Sequence, residues 1–126
     1  MSTLLLVEDH DEQRDLYSSV LVDAGYEVIQ ARSGKEALES FERLKPDIVV
    51  LDIQMPGIDG IEALGRLLAK DKHIPVILHS AYPSYKANFM TWAADAFVEK
   101  TGETSELVKA VNRLCAERGI PVAIMA

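Results

Sequence analysis

Glu8, Asp9, Asp52, Ser80 and Lys100 are far apart in the chain, yet each stands at the end of an apolar run. If those runs are neighbouring strands, three carboxylates, a hydroxyl and an ammonium share one rim. Carboxylates gathered within about 4 Å repel by roughly 4 kcal/mol per pair at an effective dielectric of 20, so such a rim calls for a cation. An all-oxygen donor set with room for water suits Mg²⁺, or Mn²⁺ in its place, better than zinc, which prefers His and Cys. His10 in the loop, His73 near a helix end and His79 on the opposite strand face from Ser80 make no metal set and read as surface or packing residues. A carboxylate, a hard cation, a hydroxyl and a lysine are together the parts for phosphoryl transfer to an Asp side chain. Asp52 would attack in line while the cation and Lys100 neutralise the equatorial oxygens, leaving an acyl phosphate. Singly these residues mean little, since acids at strand ends cap helices and lone lysines sit in water. Their conjunction carries the reading.

The elements that must position them are legible. Ile48 to Leu51 is a run without polar alternation, the pattern of a strand buried on both faces. It ends on Asp52 and runs into a loop with Pro56, Gly57 and Gly60. Thr3 to Val7, Glu27 to Ala31, Ile74 to His79 and Ala96 to Glu99 read as four more strands. Between them lie helical patterns. Leu16, Tyr17, Val20, Leu21 and Ala24 form one face, stopped by Gly25; Ser33-x-x-Glu36 has the form of a capping box ahead of Ala37, Leu38, Phe41 and Leu44, with Pro46 as the stop. Ile61, Leu64, Leu67 and Leu68 mark a third helix, residues 83–93 a fourth, and Leu107, Val108, Val111, Leu114 and Cys115 the inner face of a fifth. Strand and helix alternate five times, which predicts an α/β fold with a parallel sheet, right-handed crossovers and helices on both faces. In such sheets ligands bind beyond the strand ends.

Composition narrows the function. The net charge of −7, from 13 basic and 20 acidic residues, argues against direct binding of nucleic acid, which rests on cationic neutralisation of phosphates. No apolar run reaches the length of a membrane span, and no basic leader precedes the first strand. A single cysteine, Cys115, fits a reducing, cytoplasmic setting. One domain is expected over residues 1–119. The apolar residues 120–126 read as a short tail, with a linker stub or a contact to a second subunit as alternatives. Nothing after Gly119 reads as an output domain, so the chain is either a stand-alone regulator or a piece of a larger one.

Four segments carry a resemblance over essentially the whole chain: the Glu8-Asp9 pair; Asp52 followed by Met55-Pro56 and Gly60; Ser80-Ala81; and Phe97-Val98-Glu99-Lys100. Together they resemble the receiver domain of two-component response regulators, whose fold is flavodoxin-like with strand order 2-1-3-4-5. The resemblance implies that Asp52 is the phosphoacceptor, Asp9 and Asp52 are Mg²⁺ ligands, Glu8 is a ligand through water, and the backbone carbonyl of Gln54 is another. It implies Ser80 and Phe97 as the switch pair and Lys100 as the partner of the phosphoryl group. The implied partners are a sensor histidine kinase or phosphotransfer protein and an output protein or domain, with homodimerisation open. No turnover is implied beyond the chain's own phosphoryl transfer and autodephosphorylation. Signalling would pass through the face of the fourth helix, fifth strand and last helix.

Several residues depart from the family pattern. Thr101 replaces the proline usual after the lysine, and a trans bond or visible strain is expected at Lys100–Thr101. Phe97 stands where many members have tyrosine, and Trp92-Ala93 replaces Gly-Ala. Tyr85, Phe89 and Trp92 share one helical face, to be explained either by core packing or by a docking surface. Three other readings are weighed: a receiver-fold interaction module working without phosphorylation, a metal-dependent phosphatase, and a flavin binder. The last two lack, respectively, a substrate cap and a phosphate-binding loop after the first strand.

Overall fold

The computed structural model describes residues 2–81, 93–101 and 103–122. Five parallel strands lie in the order β2-β1-β3-β4-β5. They are β1 (Thr3–Val7), β2 (Glu27–Ala31), β3 (Ile48–Asp52), β4 (Val76–Ser80) and β5 (Ala96–Glu99). The helices among the described residues are α1 (Asp11–Asp23), α2 (Gly34–Leu44), α3 (Gly60–Lys70) and α4 (Ser105–Glu117). The helix expected over 83–93, with Tyr85, Phe89 and Trp92, lies outside the described residues but for its last residue, Ala93. The α/β architecture and strand order are those expected.

Alternation along the strands divides the core into two layers. Leu5, Val7, Val49, Leu51, Val76 and Leu78 pack on one side with Phe41 of α2 and Leu64 and Leu67 of α3. Leu4, Leu6, Ile48, Val50 and Ile77 pack on the other with Tyr17 and Leu21 of α1 and Leu107, Val111 and Leu114 of α4. All five residues of β3 are buried, as its unbroken apolar pattern requires of a central strand. In register, β3 is set so that Asp52 lies beside His79, and β4 so that Ser80 lies beside Glu99. The strand ends therefore form one rim.

Local signals work as expected in most places. Ser33 Oγ accepts from the Glu36 N–H, and Asp59 Oδ1 accepts from the Glu62 N–H, so both α2 and α3 begin on side-chain caps. The inner face of α1 differs from the apolar pattern. Leu16 is 51% exposed, and the buried residues are Arg14, Tyr17, Ser18 and Leu21. The Arg14 guanidinium explains the rotation: it donates to the Glu8 carbonyl at 3.1 Å, to Asp11 Oδ1 at 2.6 Å and to Gln30 Oε1 at 3.3 Å. A buried charge satisfied on every side displaces leucine from the stripe. The start of the presumed tail is also held, with Ile120 and Val122 packed against the α1/α4 layer and the Ser2 hydroxyl donating to the Pro121 carbonyl. Residues 123–126 lie outside the described residues.

Gly60 begins α3 where it presses on the end of β3. A Cβ at this position would meet the Asp52 carbonyl oxygen at 2.2 Å and the Ile53 Cα at 2.5 Å. Neither backbone atom can swing away. Gly60→Ala should therefore lower stability by about 1–3 kcal/mol or more in urea unfolding. Gly65→Ala on the same helix meets nothing within 4 Å, and should raise stability by up to about 1 kcal/mol.

Candidate functional site

Three of the five strands deliver the site. β1 gives way to Glu8 and Asp9, β3 ends on Asp52, and β5 is followed by Lys100. Glu8 is 1% exposed and Asp52 5%, so both carboxylates have lost nearly all their water. Lys100 bridges them. Its Nζ donates to Glu8 Oε1 at 2.5 Å and to Gln13 Oε1 at 3.0 Å, and lies 3.5 Å from Asp52 Oδ2. The ring of Tyr17, on α1, lies beneath the ammonium with its centroid 5.9 Å away, and meets His79 edge-on. His79 is thus a packing residue on the α1 side of the sheet, as expected. Its burial, aided by the positive charge of Lys100, pushes its pKa down to about 4.

Charge is unevenly matched at the rim, with three carboxylates facing one ammonium. Burial pushes the pKa of Asp52 up to about 7; Lys100 opposes this, while Glu8 and Asp9 add to it. Burial works against the Glu8 carboxylate too, but the hydrogen bond and charge of Lys100 hold its pKa below the usual value. Lys100 itself loses water, a loss outweighed by Glu8 and Asp52, so its proton is held more firmly than usual. The single ammonium favours Glu8 and leaves Asp52 undercompensated.

The residues fit a divalent cation. Glu8, Asp9, His10 and Asp52 each offer one ligand atom, all within 4.8 Å of one another. Asp9 Oδ1 is buried without a hydrogen-bond partner, an arrangement that costs free energy unless something positive meets it. A hollow of about 170 Å³ opens over the group, lined by His10, Gln13, Asp52, Gln54, Ala81 and Lys100. A larger hollow of about 670 Å³ lies between β5 and α4, where Phe97, Val98 and Ala110 line it together with the exposed Glu99, Thr101, Glu106 and Arg113.

Glu8, Asp9, Asp52 and Lys100 are therefore brought together, and Gln54 borders the same hollow. Ser80 is fully buried at the end of β4; its neighbour Ala81, not Ser80, lines the hollow. Phe97 is half-buried against the α2/α3 layer. There is no cis peptide bond among the described residues, so Lys100–Thr101 is trans as expected. Two residues had been passed over. Gln13 clamps Lys100, which its place in the first turn of an acidic helix does not announce. His10, set aside as a surface residue, turns its Nδ1 to within 3.4 Å of Glu8 Oε2 and 3.3 Å of Asp9 Oδ1.

Residues 4–112 match the family described as the response regulator receiver domain. The chain is 34% identical over 114 residues to the chemotaxis protein CheY of Thermotoga maritima, a match covering 88% of this chain and 95% of that protein. Its structure is similar to that of the response regulator protein TrrA from Thermotoga maritima in complex with Mg²⁺-BeF. The TM-score is 0.88 at 39% identity, covering 90% of this chain and 99% of that one. It is likewise similar to TrrA in complex with the histidine kinase ThkA, with a TM-score of 0.85 at 39% identity and coverage of 90% and 98%.

The raised Asp52 pKa has a consequence for stability. Between its ordinary value of 3.8 and about 7, the folded chain holds a proton that the unfolded chain has lost. The contribution of this group is therefore full below about pH 4 and is lost as pH rises through 7. In the presence of a chelator, Asp52→Asn should be more stable than the wild type at pH 8, with the gap closing towards pH 5 in urea unfolding series.

Proposed function

This chain belongs to the response regulator receiver domain family, and we propose that it accepts a phosphoryl group from a histidine kinase onto Asp52. One observation carries the reading. Asp52 is a buried, undercompensated member of an acidic cluster, placed 3.5 Å from an ammonium at the mouth of a small hollow. A nucleophilic carboxylate, a counter-charge and a cation-binding acid pair are what phosphoryl transfer to Asp requires.

The step divides among the chain's own residues. Asp52 forms the O–P bond as the P–N bond of the donor phosphohistidine breaks, and that electron pair stays with the donor imidazole. Lys100, already hydrogen-bonded to Glu8 and Gln13, is positioned to pair with a phosphoryl oxygen. Asp9, Asp52, Glu8 and the Gln54 carbonyl would hold Mg²⁺ or Mn²⁺, which would neutralise charge on the transferred oxygens. Asp9 Oδ1 has much to gain from that ion, because it is buried and makes no hydrogen bond among the described residues. Ser80 lies on β4, which pairs with the strand of Asp52, and Phe97 lies on β5, which pairs with β4, so a shift at β4 would pass directly to β5. They serve as the switch, and the β5/α4 face carries the signal to an output partner. The solved complex of TrrA with ThkA and that of TrrA with Mg²⁺-BeF support the kinase and cation assignments. On this reading the chain turns over no substrate other than its own acyl phosphate.

Incubation with acetyl phosphate and Mg²⁺ should add one phosphoryl group by intact mass. The gain should be absent with a chelator and absent in Asp52→Asn. An unchanged mass under acetyl phosphate and phosphoramidate, with Mg²⁺ bound, would make the chain an interaction module that works without phosphorylation.

A further inference from the structure

His10 occupies the N-cap position of α1 but makes no side-chain cap bond there. An N-cap side chain usually accepts from the first helical turn; this one turns away from it. Its ring is 66% exposed, yet Nδ1 points into the acid cluster. The separations are 3.4 Å to Glu8 Oε2 and 3.3 Å to Asp9 Oδ1. The backbone N–H of His10 donates to the same Glu8 oxygen at 3.2 Å, which fixes the start of the loop against the cluster.

Those separations suit a shared metal ion. Two ligands at about 2.0–2.1 Å from an ion stand roughly 3.3–3.4 Å apart in a tetrahedral site and roughly 2.8–3.0 Å apart in an octahedral one. The two oxygens of Glu8 are already divided between tasks: Oε1 accepts from Lys100, while Oε2 faces His10. Asp9 Oδ1, the other oxygen beside the ring, has no hydrogen-bond partner. Glu8 Oε2, Asp9 Oδ1 and His10 Nδ1 thus form one triangular face, with the Asp52 carboxylate within 4.8 Å.

Taking the acid cluster to be a divalent-cation site, as the proposed function does, we propose that His10 Nδ1 is an additional ligand and that this site takes late first-row transition ions such as Zn²⁺ and Ni²⁺ in preference to Mg²⁺. Magnesium favours oxygen and keeps its waters, so an imidazole adds little to its binding. Zinc and nickel bind imidazole well, and the general affinity order of divalent metals favours them further. Both classes of ion use Glu8, Asp9 and Asp52, so they exclude one another. The supply of transition metal then sets the share of the chain that is free to take Mg²⁺.

Isothermal titration calorimetry of the full chain with MgCl₂, ZnCl₂ and NiCl₂ in separate runs tests this, with His10→Ala and His73→Ala alongside. His10 is exposed, so its variant should fold, as circular dichroism will check. The expected result is one Zn²⁺ or Ni²⁺ per chain, bound more tightly than Mg²⁺ and displaced by Mg²⁺ in excess. His10→Ala should weaken Zn²⁺ and Ni²⁺ by about tenfold or more while moving Mg²⁺ by less than about twofold. His73→Ala should change nothing. In ring-nitrogen NMR, the His10 Nδ1 resonance should shift with Zn²⁺ and stay in place with Mg²⁺. Mg²⁺ binding together with Zn²⁺ affinity unchanged by His10→Ala overturns the His10 assignment alone, as does Zn²⁺ that saturating Mg²⁺ fails to displace. Failure of the wild type to bind either ion overturns the cation site itself.

Discussion

The ammonium of Lys100 reaches from the end of β5 to Glu8 at the end of β1 and Asp52 at the end of β3, and most of the site follows from how it is shared. A lysine this buried must be hydrogen-bonded and paired, and here Glu8 and Gln13 take its protons while Asp52 stands just beyond hydrogen-bond reach. One positive charge cannot offset three carboxylates. Glu8 is held ionised, Asp52 is pushed towards its proton, and Asp9 is left with a buried oxygen that makes no hydrogen bond among the described residues. The fold places these acids together at a cost in its own stability.

The scaffold makes that cost bearable. Leu4, Leu6, Ile48, Val50 and Ile77 form a fully apolar layer directly below the site, with Tyr17 and Leu21 covering it from α1. Arg14 closes the α1 side by binding the Glu8 carbonyl, Asp11 and Gln30, so β1, α1 and β2 are tied at the level of the acids. Gly60 lets α3 start against the Asp52 carbonyl, where a larger residue would push the end of β3 aside. Strain at the rim is local, and the core beneath it is saturated with ordinary packing.

Much of this was legible in the chain. A central parallel strand is buried on both faces, so Ile48 to Leu51 announced itself, and the sharp change to Asp52 marked the rim. Once alternation fixed a parallel sheet, Glu8, Asp9 and Lys100 had to gather near Asp52. Side-chain direction in loops was not legible, because it depends on backbone angles that composition does not encode. His10 reads as a surface or packing residue and is largely exposed, but its φ of −81° and ψ of 117° accompany a ring turned inward. Leu16 was assigned to the inner face of α1 on hydrophobicity alone. Arg14 took the stripe instead, since a buried guanidinium with three acceptors is as good an occupant of that position. Gln13 was missed because a neutral amide gives no sequence signal of the ammonium it will meet.

What unites these features is that Asp52 is kept short of compensation until a cation arrives. That claim is tested most directly by following the side-chain carboxyl carbon of Asp52 in an NMR pH titration, once with a chelator and once with saturating Mg²⁺. The account predicts a midpoint near 7 with the chelator and a fall into or below the ordinary carboxylate range when Mg²⁺ is present. A midpoint near the ordinary Asp value under both conditions would contradict it.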